Sequence, residues 1–68
     1  MKYVIIGHGG HSKVIKDLIE SREGHMIIAY LDDKYELLDT IMDVYIGPVH
    51  SIRLILNQHP DVKVVIAI

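Results

Sequence analysis

Chemistry in this chain concentrates at Gly7-His8-Gly9-Gly10-His11-Ser12-Lys13, a glycine-rich run between a short β-rich segment and an apolar-periodic one. Gly7 at such a junction permits a tight strand exit, and Gly9 lets a ligand approach bare backbone. A helix that follows turns its unpaired N–H groups and the positive end of its dipole toward the loop, which suits an anion, above all phosphate. The expected helix carries no carboxylate before Asp17, although acidic side chains favour that first turn, and Lys13 adds positive charge there. Asp17, four residues on, is placed to offset part of that charge. The run departs from the dinucleotide fingerprint G-x-G-x-x-G at its third glycine, where Ser12 stands. Serine is small enough for close helix–strand packing, and its hydroxyl can donate to phosphate. The other reading of the same run is a turn that only needs positive φ.

Asp32 follows Gly9 by 23 positions, close to the roughly 20-residue offset at which an acidic side chain at the end of a second strand meets a ribose hydroxyl. Its charge disfavours a 2′-phosphate, and hence NADP. An Asp32-Asp33 pair closing a strand is also an ordinary turn. His8 and His11 form a His-x-x-His pair across two glycines, with no cysteine and no evident third ligand, so a metal site is not expected. His11 at the helix start is better cast as a phosphate or sugar contact, or as a cap. His25, His50 and His59 fall at element boundaries and are expected to be solvated.

The elements that must position these groups follow from periodicity. Lys2 to Ile6 is almost uniformly apolar, the mark of a strand covered on both faces, and Gly7 ends it. From His11 or Ser12 to Arg22 or Glu23 the apolar residues Val14, Ile15, Leu18 and Ile19 form one stripe of a helix expected to lie in the core, with Gly24 as its C′ residue. Met26 to Leu31 reads as the second strand. Lys34 to Asp43 is weakly patterned, with Leu37, Leu38, Ile41 and Met42 as one helical turn or a packed loop. Val44 to Ile46 is a short third strand ended by Gly47-Pro48. Ser51 to Gln58 is a second helix, capped by Ser51 or His50 and stopped before Pro60. Val62 to Ile68 is the closing strand.

Strand, glycine turn, helix, strand and acidic pair make a right-handed βαβ unit. Doubly wound logic then predicts an α/β, Rossmann-like fold: a small parallel sheet of order 3-2-1-4, helices on both faces, and the first and last strands central.

At 68 residues the chain is expected to be a single domain with a thin core. Seven Lys+Arg against nine Asp+Glu leave a net charge of -2, which offers no surplus for neutralising a nucleic-acid backbone. The absence of cysteine excludes a disulfide framework and a thiolate nucleophile, and suits the cytoplasm. No apolar run approaches the roughly 20 residues of a bilayer span, so no membrane partner is expected. A buried-type strand that runs to the final residue predicts that 1–68 is the front part of a larger protein.

The series Val4-Ile5-Ile6-Gly7-His8-Gly9-Gly10-His11-Ser12-Lys13-Val14, Tyr30-Leu31-Asp32-Asp33, Ile46-Gly47 and Val64-Val65-Ile66-Ala67-Ile68 resembles the N-terminal domain of bacterial NeuD/PglD-like sugar acyltransferases, over the whole length. These enzymes acetylate sialic acid or amino sugars carried on UDP. The resemblance implies a nucleotide-sugar-binding domain at 1–68, with Gly7, Gly9, Gly10, His11 and Ser12 around the diphosphate and sugar, beside His8 and Lys13 of the same loop. It also implies that Asp32 and Asp33 hold the uridine and that Ile66 to Ile68 lead into a loop closing the pocket. His8 stands where relatives often carry a small residue. In the family a left-handed β-helix behind this domain binds acetyl-CoA, supplies the catalytic histidine and forms a homotrimer. No catalytic residue and no cofactor are therefore expected within 1–68. The alternative function on the same βαβ plan is an NAD- or CoA-binding regulatory or redox domain.

Overall fold

Strand β1 (Lys2–Ile6) forms where β-branched and aromatic side chains run without polar interruption, and Val4 and Ile5 have no exposed surface. The computed structural model describes residues 1–68 as β1, α1 (Gly10–Glu20), β2 (Met26–Leu31), β3 (Asp39–Ile41), β4 (Val44–Gly47), a 3₁₀ turn at Val49–Ser51, α2 (Ile52–Gln58) and β5 (Lys63–Ile66). One five-stranded sheet of order β3-β4-β2-β1-β5 links them. β1 pairs in parallel with β2 and β5, and β4 in parallel with β2.

The expected Rossmann-like, all-parallel sheet of order 3-2-1-4 is corrected: the α/β sheet is mixed and its order does not match the doubly wound expectation. Asp39–Ile41 forms an additional strand antiparallel to β4, with Ile41 opposite Val44, so the sheet is mixed. The joining turn is Met42-Asp43, both at positive φ (51° and 68°), the hand that two-residue hairpins favour. Asn or Gly usually marks such a turn. Methionine gives no such signal, so the segment reads as loop or helix.

β2 is the best-covered strand, with Ile27 to Leu31 all buried, whereas β5 lies at the sheet edge and exposes Val64 and Ile66. The closing strand is therefore not central. β1 and β2 slip register between Tyr3 and Val4, where Tyr3 faces Ile27 but Val4 faces Ala29. Ile28 is the extra residue of this bulge, and so it and Ala29 reach the same core cluster.

The two sheet faces carry separate clusters. On one, Val4, Ile28, Ala29 and Leu31 receive Ile55 of α2, with Ile52 beside it. On the other, Ile5, Ile27, Tyr30 and Ala67 receive Ile15 and Ile19 of α1. Each fully covered aliphatic chain contributes about 1.5–3 kcal/mol. The α1 stripe is narrower than its periodicity predicts: Ile15 and Ile19 pack, but Val14 and Leu18 are more than half exposed. A short sheet with β5 at its edge covers only part of the helix.

The helix ends also differ from expectation. α1 stops at Ser21, whose N–H donates to the Asp17 carbonyl and whose hydroxyl donates to the Leu18 carbonyl. Gly24, at φ 83°, lies in the turn beyond, and its carbonyl accepts the N-terminal ammonium at 2.7 Å. Ser51 has helical dihedrals and makes no capping bond, because the 3₁₀ turn after Pro48 starts the helical segment earlier. Neither helix is long and apolar enough to cross a membrane.

Candidate functional site

The carboxyl ends of the parallel strands β1, β2, β4 and β5 lie together at one edge of the sheet, the edge where open α/β sheets receive ligands. Gly7 leaves β1 at φ 107°, and a Cβ there would stand 2.6 Å from the Ala67 carbonyl oxygen. Glycine is thus required twice, by dihedral and by space. The Gly7 N–H donates to the Leu31 carbonyl and the Ala67 N–H to the Ile6 carbonyl, which closes the three strand ends together.

Gly9 caps α1 in extended geometry (φ -120°) with no side-chain bond, and α1 has no acidic residue in its first turn. A Cβ at Gly9 or Gly10 would meet no atom within 4 Å. The start of α1 thus presents bare backbone to open space. Ser12 serves the loop itself: it is 3% exposed, and its hydroxyl donates to the Gly9 carbonyl at 2.7 Å. His11 is exposed on the first turn of α1.

Asp32 ties the loop to the next turn. Its Oδ2 accepts the His8 N–H at 2.7 Å and its Oδ1 the Lys34 N–H at 3.0 Å. These two backbone bonds, the His8 bond foremost, hold its carboxyl below the usual carboxylate range. The His8 ring stacks on Tyr30 at 4.4 Å between centroids and is 2.6 Å from the Tyr35 hydroxyl through Nδ1. Burial first, and then the Lys34 charge, lower the His8 pKa from 6.5, while the Asp32 charge opposes them. The Lys34 ammonium donates to the His8 carbonyl.

Two hollows adjoin the glycine-rich loop. One, about 230 Å³, is lined by Ile6, Gly7, Asp32, Asp33, Val49 and Ile68. The other, about 450 Å³, is lined by His8, Gly9, Ser12, Lys13, Lys16, Tyr30 and Lys34. The first is acidic, and the second holds three lysines and no carboxylate. Lys16 pairs with Glu20 at 3.0 Å, the only ion pair in the chain, so Lys13 is not bonded to Asp17 as its spacing suggested.

Of the sequence-derived site residues, the fold brings together Gly7, His8, Gly9, Ser12, Lys13, Asp32 and Asp33, with Gly10 at the helix start. Ile66 is two-thirds exposed and lines neither hollow, whereas Ile68 does. Lys16, Tyr30, Lys34 and Tyr35 join the site unannounced. The Asp32 bond to the Lys34 N–H, two residues on, is the Asx turn expected of an aspartate closing a strand, but that turn does not mark Lys34 as a site residue. Among the boundary histidines, His25 is half-buried, stacked on Tyr3 and 2.8 Å from its hydroxyl, and His59 is half-buried near Lys2. No three His, Asp or Glu side chains converge as a metal site.

These features define an α/β domain with a glycine-rich loop seated at the carboxyl ends of its parallel strands. Residues 2–68 match the family of the PglD N-terminal domain, and the chain belongs to that family. It is similar to UDP-N-acetylbacillosamine N-acetyltransferase of Bacillus subtilis (strain 168), with 38% identity over 64 residues, covering 94% of this chain and 30% of the relative. The chain thus spans less than a third of that relative's length. No solved structure matches.

Proposed function

We propose that residues 1–68 bind a UDP-linked amino sugar, or a sialic-acid-type sugar, and present it for acetyl transfer from acetyl-CoA bound elsewhere in the protein. The observation that carries this reading is the open backbone at Gly9 and Gly10, at a carboxylate-free helix start, beside the Asp32-Asp33 hollow. Donor groups of uracil and ribose suit the carboxylates, and a diphosphate suits the amides. Family membership and the relative's activity on a UDP-sugar support the same ligand. The domain contributes orientation of the acceptor group. Proton removal falls to a histidine outside 1–68, and by family resemblance the whole protein is a homotrimer.

Titration with UDP-sugars, NAD and CoA, followed by thermal shift or calorimetry, tests the reading. Stabilisation by the UDP-sugar is the expected result. Stabilisation by NAD with none from UDP-sugars overturns it in favour of an NAD-binding domain, which family membership does not favour.

A further inference from the structure

The two hollows beside the glycine-rich loop differ in charge, and the difference is local. The whole chain carries nine acidic against seven basic side chains. Even so, three lysines and no carboxylate line the larger hollow, while Asp32 and Asp33 line the smaller. A ligand that fits both must present hydrogen-bond donors at one end and negative oxygens at the other. A nucleoside diphosphate does so.

Lys34 stands at the border. Its main-chain N–H is held by the Asp32 carboxylate of the acidic hollow, and its ammonium rests on the His8 carbonyl in the wall of the basic one. It forms no ion pair, and it stands over the Tyr35 ring, 5.4 Å from the centroid. Lys16, by contrast, is engaged by Glu20. A carbonyl is a weaker partner for an ammonium than a phosphate oxygen, so an arriving diphosphate can take Lys34 over at little cost.

Resting on the ligand class proposed above, we infer that Lys34 binds the diphosphate of the nucleotide from the lysine-lined side of the loop, and so sets the preference for nucleoside diphosphate over nucleoside. Asp32 serves both ends of the ligand: it faces the nucleoside and, through its bond to the Lys34 N–H, fixes where the ammonium stem begins.

The test is calorimetric titration of the whole chain and of Lys34→Met and Lys34→Arg with UDP, uridine and CoA. Lys34 is exposed, so both variants should fold, and their melting curves check this. The expected result is that Lys34→Met weakens UDP about tenfold, the lower range for a charged hydrogen bond. Uridine binding should be unchanged and Lys34→Arg should retain most of the UDP affinity. Unaltered UDP binding by Lys34→Met, equal loss for UDP and uridine, or a loss confined to CoA would each overturn the inference while leaving the nucleotide-sugar reading intact. Failure of the unsubstituted chain to bind UDP at all overturns that reading, and the inference with it.

Discussion

The main-chain N–H of His8 donates to Asp32 Oδ2 at 2.7 Å, across 24 positions of sequence. One carboxylate thereby fastens the loop after β1 to the turn after β2, and the same group faces the smaller hollow.

Asp32→Asn should lower thermal stability at neutral pH, because one of its two backbone bonds is lost and the other loses its charge. The folded pKa of Asp32 lies below its unfolded value. The stabilisation is therefore complete above roughly pH 4 and disappears as pH falls through the depressed folded value. Melting curves of the two proteins should differ at pH 7 and converge in acid. A constant difference across that range would show that Asp32 acts by shape and not by charge.

His8 titrates in the opposite chemical sense but with the same sign for stability. Burial and the Lys34 charge favour its neutral ring, so its folded pKa lies below 6.5. The neutral form's contribution is whole above about pH 6.5 and is lost as pH falls through the folded value. The ring-proton resonance of His8 should titrate with a midpoint under 6.5, and His8→Phe should flatten the decline of stability between neutral and mildly acidic pH.

Gly7 and Gly9 should respond oppositely to a side chain. Gly7→Ala meets both φ 107° and a carbonyl 2.6 Å away, and should cost on the order of 3 kcal/mol. Gly9→Val has open space and an extended backbone, and should cost about 1 kcal/mol or less. Yet it should abolish nucleotide binding, because the branched side chain fills the space above the helix N-terminus. Denaturation and UDP titration read the two effects separately; unchanged affinity in Gly9→Val would place the ligand elsewhere.

The hairpin between β3 and β4 holds Met42 and Asp43 at positive φ, which disfavours a long side chain. Replacing the pair by Asn-Gly should stabilise the domain by about 1 kcal/mol and raise the melting temperature by about 4–8 °C. Calorimetric melting checks this, and no gain would mean that the turn relaxes in solution.

Much of the site was legible because glycine, aspartate and their spacing act locally. Gly7 must end a strand, Gly9 must bare the backbone, and Asp32 must close β2, whatever surrounds them. Lys34, Tyr30 and Tyr35 were not legible as site residues, since each depends on contacts across more than twenty positions with His8 or the loop about it. The stripe of α1 was over-read for the related reason that exposure depends on what lies opposite: Ile15 and Ile19 find the sheet, and Leu18 does not.

Local chemistry, then, determined the α/β character, the glycine loop and its acidic partner, since dihedral freedom and apolar period are properties of short segments. Only the folded chain decided that Asp39–Ile41 would pair with β4 and make the sheet mixed. It also decided that acidic and basic side chains would line separate hollows beside the loop. Strand pairing and charge placement depend on which distant segments become neighbours, and that follows from burying both faces of the sheet at once.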